Sequence, residues 1–318
     1  MRKIGEAIRS AWHHFDAIVC IMGCGIVVRT IAPLIKNKMV DPAVVVMDED
    51  GKFAISLISG HLGGANELAR EVAAITGGQA VITTASDLQG KLAVDLVAQK
   101  AGLHIENSRM LSRVAAAVLD GEPLWIFDPE GLFVKHLPPG HSFQVIAPPV
   151  ERGDVADIKA LIADTLPRLR AGLGIWVSEM IEPSRVKCLK LRPPSLVVGI
   201  GCNRGTQAEE IIGLVERVFR ESGLSTLSIG KFASVDLKSN EPGLLEAAGH
   251  FNKPIEFYAR QTIQGIAVPN PSSTVARHIG VKSVCEASAI WSTGTGRLLV
   301  PKRKSINCTM AIARASCS

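Results

Sequence analysis

The sequence has 318 residues, of which 47% are hydrophobic and 20% are charged, a composition typical of a folded globular protein with two or three domains. Aromatic residues make up only 4%, so small and aliphatic side chains must fill the core, which favours an α/β fold over an aromatic-rich β-sandwich. The formal charge of +5 lies entirely in residues 195–318, which carry 14 Lys and Arg against 9 Asp and Glu. An anionic partner is therefore expected there, but the basic residues are scattered and lack interleaved aromatics, which argues against nucleic acid.

Neither membrane insertion nor metal binding is predicted. The longest apolar runs, Ala17–Met22 and Ala43–Met47, have the length of strands and fall far short of the roughly 20 residues of a membrane span. No signal peptide is recognised, so a cytoplasmic location is expected. The 7 cysteines include no C-x-x-C pair and no other metal-binding motif is present, so we expect buried, reduced thiols and no protein-bound metal.

In chain order, residues 1–102 alternate between helical and strand patterns, which predicts a βαβ arrangement with a mostly parallel sheet. The predicted helices are Arg2–His14, Gly25–Ile35, Gly63–Ile75 and Lys91–Ala101. The predicted strands are Asp16–Met22, Ala43–Met47, Phe53–Leu57 and Ala80–Thr83. Asp50 and Gly51 are expected to turn the chain back between the second and third strands.

Residues 103–194 are predicted to form a small α+β domain without a catalytic constellation. It has a helix at Ser108–Leu119 and strands at Leu124–Phe127, Phe143–Ile146, Gly174–Glu179 and Val186–Leu191. Arg192, Pro193 and Pro194 indicate a linker, after which residues 195–318 are expected to form a third, α/β domain. Its predicted helices are Thr206–Ser222, Glu241–His250, Ser272–His278 and Val284–Trp291, and its strands are Leu196–Ile200, Arg297–Val300 and Asn307–Ala313.

A strand-to-helix segment with a glycine-rich loop, Val197–Glu209, carries the first candidate site. Its glycines permit close backbone approach: Gly199, Gly201 and Gly205. Thr206 and Glu209 match a capping box, so exposed amides and the helix dipole are expected to favour an anion, with Arg204 as a further donor. The alternative is a tight turn in which glycine is needed for packing only.

A nicotinamide cofactor is a second interpretation of this loop. A dinucleotide-binding fold needs an acidic residue about 20 residues after the glycines, at the end of the next strand. The first acidic residue beyond the predicted helix is Asp236, preceded by Lys231, so the ribose-binding acid is missing from its expected place. The sequence therefore disfavours a nicotinamide cofactor.

Three further segments could contribute chemistry. In Ser59–Glu67, His61 sits in a glycine-rich turn, where it could act as acid or base near pH 7 or simply cap the turn. Asp236–Gly243 has two carboxylates and a lysine, which suit acid–base work or salt-bridge capping. Pro301–Lys304 is a basic run, which is either solvated or lines the same cleft as the glycine loop.

Seven blocks of the chain occur together and in order in one known family. They are GIVVRTIAPLI (Gly25–Ile35), DPAVVVMDEDGKFAISLISGHLGGANELA (Asp41–Ala69), VVGIGCNRGTQAEEI (Val197–Ile211), VDLKSNEPGLLE (Val235–Glu246), VPNPSSTV (Val268–Val275), VCEASA (Val284–Ala289) and LLVPKRKSINCTMAIAR (Leu298–Arg314). With these blocks, nearly the whole chain resembles the CbiG family of cobalamin-biosynthesis proteins. The resemblance implies an N-terminal CbiG domain at 1–102, a middle domain at 103–194 and a C-terminal, CobE-like domain at 195–318.

The resemblance also implies an activity, that of a hydrolase acting on carbon–carbon bonds. CbiG proteins open the δ-lactone of cobalt-precorrin-5A and release acetaldehyde to give cobalt-precorrin-5B in anaerobic corrin synthesis. No cofactor is expected, because the substrate carries the cobalt. The expected partners are this tetrapyrrole and other cobalamin-pathway enzymes; the sequence predicts no oligomeric state. The alternative is a non-catalytic carrier of corrinoid intermediates.

Site residues follow from the resemblance together with the chemistry of lactone opening, which needs a base and oxyanion donors. The catalytic candidates are His61, Asp236 and Glu241. Backbone donors are expected at Gly60, Gly63, Gly64, Gly199, Gly201, Gly205 and Thr206. Side chains expected to bind the substrate are Arg29, Asn66, Arg204, Lys238, Asn270 and Lys302.

Two features depart from the family pattern. Family members usually begin with a further strand and helix. A misassigned start, a truncation and a true absence of this strand are the open alternatives, and a true absence is expected to weaken the first domain. Asn203 stands where a basic residue is more usual, which is expected to loosen carboxylate binding.

Overall fold

The computed structural model describes residues 2–37, 40–60, 63–83, 92–139, 141–146, 155–294 and 297–315. The chain divides into two compact units, Met1–Lys100 with Ala115–Glu122, and Ala101–Val114 with Pro123–Ser318. No helix in the described ranges is both long and apolar enough to span a membrane. The division into three domains stays a prediction.

The first unit contains a four-stranded sheet in the order β1-β2-β3-β4. Its strands are β1 (Ala17–Ile21), β2 (Ala43–Met47), β3 (Phe53–Ile58) and β4 (Gln79–Val81). The described helices within residues 2–100 are α1 (Arg2–Trp12), α2 (Cys24–Ile31), α3 (Ala65–Thr76) and α4 (Val94–Lys100). The β2–β3 pair is antiparallel, as the Asp50 and Gly51 turn predicts, and the other two pairs are parallel.

The burial of these strands follows their place in the sheet. All five residues of β2 are buried because it is a central strand. Strand β1 lies at the edge of the sheet, and among its residues only Cys20 is buried although all five are apolar. An apolar run therefore predicted the strand correctly but not its burial.

The middle region forms a five-stranded sheet in the order β5-β9-β8-β6-β7. Its strands are β5 (His104–Ile105), β6 (Trp125–Phe127), β7 (Gln144–Val145), β8 (Leu173–Val177) and β9 (Lys187–Arg192). Its helices are α5 (Ser108–Asp120) and α6 (Val155–Arg170), with a 3₁₀ turn at Val134–His136. Helix α6 was not predicted, and Pro167 interrupts its helical pattern.

The C-terminal region forms a mixed five-stranded sheet in the order β12-β11-β10-β14-β13. Its strands are β10 (Leu196–Cys202), β11 (Ile229–Val235), β12 (Ile255–Tyr258), β13 (Val300–Lys304) and β14 (Cys308–Arg314). Its helices are α7 (Ala208–Ser222), α8 (Pro242–His250), α9 (Arg260–Ile263), α10 (Ser273–Ile279) and α11 (Val284–Thr293), with 3₁₀ turns at Thr226–Ser228 and Asp236–Lys238. The α/β class is confirmed, but β11 and β12 were not predicted as strands.

The basic run Pro301–Lys304 is part of β13, in which Pro301, Arg303 and Lys304 are exposed and Lys302 is half-buried. The predicted strand Arg297–Val300 was therefore placed too early. Charged residues are tolerated in β13 because it is the edge strand of its sheet, with one side open to solvent.

The middle and C-terminal sheets contribute to one hydrophobic core and are also joined by polar contacts. Met180 forms an isolated antiparallel bridge with Leu224. Arg314, at the end of β14, forms ion pairs with Glu130, at 3.2 Å, and with Glu179. Burial is the main cause that raises the pKa of Glu130 to about 7, and repulsion from Glu179 adds to it. Attraction to Arg314 acts in the opposite direction. Two carboxylates thus converge on one guanidinium.

This arrangement predicts a pH-dependent stability. Because Glu130 keeps its proton in the folded state at a pH where the unfolded chain has lost it, its contribution to stability falls as pH rises from about 4.5 to about 7. The variant Glu130→Gln lacks this titration. Between pH 5 and pH 8, the unfolding free energy of wild type should therefore fall by about 2 kcal/mol more than that of the variant. Urea unfolding at both pH values measures the difference. Glu246→Gln, an exposed change on α8, is the matched control, and equal pH dependence in wild type and Glu130→Gln would contradict the account.

Candidate functional site

Three of the predicted blocks of the C-terminal region meet at one edge of its sheet. Strands β10, β11 and β12 run parallel, so the turns that follow them lie at a common edge. Because β14 is antiparallel to β10 and β13 is antiparallel to β14, the β13–β14 turn lies there as well. We call the turns at 203–207, 236–241 and 305–307 the carboxyl edge. In open α/β sheets, ligands bind at this position.

The glycine loop does not form the predicted capping box. Helix α7 begins at Ala208 with Gln207 as N-cap, and no side chain caps it. The Thr206 hydroxyl instead donates to the Asn203 carbonyl at 2.9 Å, which closes the turn. The capping-box prediction was wrong because Thr206 lies one residue before the N-cap position.

The backbone amides of this loop are mostly engaged within the protein. The Gly205 N–H donates to Glu241 Oε2 at 2.9 Å, and Gly205 has a φ of 74°, which favours glycine. The Thr206 N–H donates to Asn203 O, and the Asn203 N–H donates to Asn307 O at 2.8 Å. The loop is therefore held by internal acceptors, and the cationic side chains around it are left as the groups that can contact a ligand.

Glu241 is the internal anion of the carboxyl edge. Its side chain is 10% exposed, and Lys238 Nζ donates to its Oε1 at 3.0 Å. Burial acts to raise the pKa of Glu241, but the Gly205 N–H and Lys238 outweigh it and hold the pKa below its usual range. The carboxylate therefore stays ionised and fixes both the glycine loop and Lys238.

Arg204 and Asp236 are the exposed charged groups of this edge. The Arg204 side chain is 94% exposed, with its Nε 4.0 Å from Glu241 Oε1. Asp236 directly follows β11, and its Oδ1 accepts the Leu237 N–H at 2.8 Å. Asp236 thus does lie at the strand end where a dinucleotide-binding fold carries its acid, contrary to the sequence argument. The ionised Glu241 occupies the Gly205 amide, however, and would repel a pyrophosphate there.

Packing accounts for two of the predicted ligand-binding glycines. A Cβ on Gly199 would lie 1.9 Å from the Cys285 carbonyl oxygen, and a Cβ on Gly201 would lie 3.3 Å from the Val284 Cβ. Both glycines lie in β10 and let α11 pack directly on the strand. This is the packing role that the sequence left open as an alternative.

A second cluster contains Asn270, Lys302 and a residue that the sequence analysis missed, Glu286. Glu286 lies in the first turn of α11 and is fully buried. Its carboxylate accepts the backbone N–H and the side-chain amide of Asn270 and the backbone N–H of Lys302, and Lys302 Nζ donates to Asn270 O. A single acidic residue in the apolar block Val284–Ala289 was the one signal that could have pointed to it.

The β13–β14 turn is tied to α7 and to the glycine loop. Glu210 Oε1 accepts the Ser305 hydroxyl at 2.6 Å and the Asn307 N–H at 2.7 Å. These hydrogen bonds, of which the one from Ser305 contributes most, lower the pKa of Glu210. Asn203, which stands where a basic residue was expected, donates through Nδ2 to Asn307 Oδ1 at 3.1 Å. Asn203 thus serves to join two turns of the carboxyl edge.

In the first unit, the structure describes the turn after β3 only in part. His61 lies outside the described residues, so its role as acid or base stays a prediction. The Asn66 N–H donates to Gly60 O at 2.9 Å, Ser56 Oγ donates to Asn66 Oδ1 at 2.6 Å, and Gly64 is the N-cap of α3 with a φ of 84°. A Cβ on Gly63 would lie 2.4 Å from Ser59 Cβ, so this glycine is required by close packing.

Arg29 lies in the last turn of α2, where its exposed side chain donates to the carbonyl of Gly25 at 2.9 Å. In the described part of the chain, no three His, Cys, Asp or Glu side chains come together as metal ligands. The structure describes six cysteines, all free, of which Cys20, Cys188, Cys285 and Cys308 are buried.

Three family models match the chain in sequence order. They are described as Cobalamin synthesis G N-terminal (residues 6–87), Cobalamin biosynthesis central region (92–193) and Cobalamin synthesis G C-terminus (196–313). A cobalt-precorrin-5A hydrolase of Priestia megaterium is 34% identical over 310 residues, which are 96% of this chain and 80% of that protein. The chain belongs to the CbiG family.

Other relatives agree with this membership. A cobalt-precorrin-5A hydrolase of Salmonella typhimurium is 31% identical over 312 residues, which are 96% of this CbiG chain and 84% of the Salmonella protein. The CobE protein of a Sinorhizobium species is 39% identical over 123 residues, 37% of this chain and 79% of that protein.

Close packing in the C-terminal region of this CbiG protein can be tested with two glycine variants. Gly199→Ala forces α11 away from β10 and should lower the unfolding free energy by roughly 2–3 kcal/mol. Gly213→Ala, in α7 with no atom within 4 Å of the added Cβ, should raise it by roughly 0.5–1 kcal/mol. Urea unfolding of both variants measures the effects, and equal stabilities would show that Gly199 does not set the helix–strand distance.

Proposed function

We propose that this chain is a cobalt-precorrin-5A hydrolase, which opens the δ-lactone of its substrate and releases acetaldehyde to give cobalt-precorrin-5B. The observation that carries this proposal is the near-full-length similarity, at 34% and 31% identity, to two proteins named for that activity. The reaction belongs to anaerobic cobalamin synthesis, and the cobalt enters as part of the substrate.

The charge of the carboxyl edge supports a substrate that is fringed by acetate and propionate groups. Arg204 is exposed, and a guanidinium can bind a carboxylate through two parallel hydrogen bonds. Lys238 is paired with the carboxylate of Glu241, whereas the Lys302 ammonium donates to the neutral carbonyl of Asn270. We propose that Arg204 and Lys302 bind peripheral carboxylates and that Lys238 and Glu241 maintain the shape of the loop.

The acid–base chemistry is assigned to the exposed carboxylate and to the histidine of the first unit. Lactone opening requires removal of a proton from water, and carbon–carbon cleavage then requires a proton transfer. Asp236 is exposed at the carboxyl edge, and its Oδ2 can accept a proton. We propose Asp236 or His61 as the base. The hydrogen bonds of Glu241 fit a positioning role better than a proton-transferring one.

The remaining parts of the proposal concern partners and location. We propose that the protein needs no resident metal or organic cofactor and acts in the cytoplasm. Other enzymes of cobalamin synthesis are the expected protein partners.

The activity is tested by incubating the purified protein with cobalt-precorrin-5A and measuring acetaldehyde. Stoichiometric acetaldehyde with conversion of the pigment is the expected result. Tight pigment binding without acetaldehyde would support a carrier instead of a hydrolase. A requirement for NAD(P)H would point to the nicotinamide alternative.

Variants of the base should separate its two candidates. The variant that removes the base, Asp236→Asn or His61→Ala, should lower kcat about 10²- to 10⁴-fold while pigment affinity changes little. Absorbance titration and acetaldehyde release measure the two quantities. Wild-type kcat in both variants would exclude both residues from catalysis.

The carboxylate-binding role of Arg204 predicts a different signature. Arg204→Ala should raise KM about tenfold with kcat nearly unchanged, because the charge pair forms in the ground state as well as in the transition state. Arg220→Ala, which removes an exposed arginine at the far end of α7, is the control with the same charge change. Equal KM values for the two variants would show that only the overall charge matters.

A further inference from the structure

Glu286 is a fully buried carboxylate to which the proposed reaction gives no role. An ionised carboxylate without partners is very costly to bury. In this protein it lies in the first turn of α11, where the helix dipole favours negative charge, and it accepts three N–H groups. These contacts offset the cost of burial, and their identity indicates what the residue does.

All three donors belong to two residues that are predicted to bind the substrate. Oε2 accepts the Asn270 backbone N–H at 3.0 Å, and Oε1 accepts Asn270 Nδ2 at 2.8 Å and the Lys302 backbone N–H at 3.0 Å. Asn270 lies in the loop before α10, and Lys302 lies in β13. The two segments are far apart in sequence, and Glu286 joins them through the backbone of each.

The Lys302 side chain is held at both ends by this arrangement. Its backbone is fixed by Glu286, and its Nζ donates to the carbonyl oxygen of Asn270, which Glu286 also fixes. An ammonium has three N–H donors, so two are left after the bond to Asn270. Because a carbonyl carries no net charge, the positive charge of Lys302 is not cancelled there, in contrast to Lys238 with Glu241.

We propose that Glu286 is a positioning residue for substrate binding, which orients Lys302 so that its ammonium meets a peripheral carboxylate of the tetrapyrrole. This inference rests on the proposed function for the identity of the ligand. Glu286 acts through Lys302 and Asn270 and does not touch the substrate.

The hydrogen-bond pattern dictates which variant is informative. All three partners are donors, so the residue must present acceptors only, which a carboxylate does. In Glu286→Gln the side-chain NH₂ group faces one of these N–H donors, most simply that of Asn270. The substitution therefore keeps the size of the side chain but loosens the attachment of Asn270 and Lys302.

The experiment combines substrate affinity with a double-mutant cycle. Glu286→Gln should weaken cobalt-precorrin-5A binding, measured by absorbance titration, by about tenfold and raise KM similarly, with kcat within about twofold of wild type. Lys302→Ala should weaken binding by about the same factor. Because the Lys302 variant retains its backbone N–H but lacks the ammonium, adding Glu286→Gln to it should cause no further loss.

Two results would overturn the proposal. One is that Glu286→Gln and Lys302→Ala act independently, so that the loss of affinity in the double variant is the product of the losses in the two single variants. The other is a Glu286→Gln variant that loses kcat or thermal stability at unchanged affinity, which would indicate a purely structural role.

A second variant keeps the proposal testable if Glu286→Gln does not fold. Asn270→Ala removes the Nδ2 hydrogen bond and leaves the backbone bond to Glu286 intact. It should weaken binding about threefold to fivefold in the wild-type background and less than about twofold with Lys302→Ala, and equal effects in both backgrounds would refute the inference. Pigment binding without acetaldehyde release would overturn the hydrolase reaction alone, since the affinity ratios still report on Glu286.

Discussion

The close approach of α11 to β10 is the constraint on which the C-terminal site depends. The approach is possible only because Gly199 has no side chain, since a Cβ there would lie 1.9 Å from the Cys285 carbonyl oxygen. It brings the first turn of α11, and with it Glu286, against the end of the strand. From there the carboxylate can reach both Asn270 and Lys302. Glycine in this segment therefore serves first to place a helix and only indirectly to bind a ligand.

Two carboxylates with different consequences organise the cations of this region. Glu241 pairs with Lys238 and cancels its charge, while it also holds the Gly205 amide. Glu286 binds only the backbone of Lys302 and the amide groups of Asn270, so the ammonium of Lys302 stays uncancelled. The exposed Arg204 adds a second positive charge. Lys302 is held by hydrogen bonds at its backbone and at its Nζ, so its side chain loses less entropy than that of Arg204 when a carboxylate binds.

The sequence predicted elements whose apolar pattern agrees with their final environment, and it failed where tertiary context decides. Strand β2 was predicted with its observed bounds and helix α8 to within one residue, since five apolar residues and a helix-starting proline are local signals. Strand β13 was misplaced because an edge strand tolerates charge. Glu286 was missed because its partners lie 16 residues away in both directions and meet only in the folded chain. The glycine loop was found, but the anion at its Gly205 amide proved to be Glu241.

We propose that this CbiG protein binds the carboxylates of its tetrapyrrole at the carboxyl edge of the C-terminal sheet and at Lys302 in the adjoining strand β13. A crystal structure of the protein with cobalt-precorrin-5A tests it most directly. The account predicts substrate carboxylate oxygens within hydrogen-bonding distance, about 3 Å, of the Arg204 guanidinium and of Lys302 Nζ. A complex in which the pigment is bound elsewhere, with both of these side chains still in solvent, would contradict it.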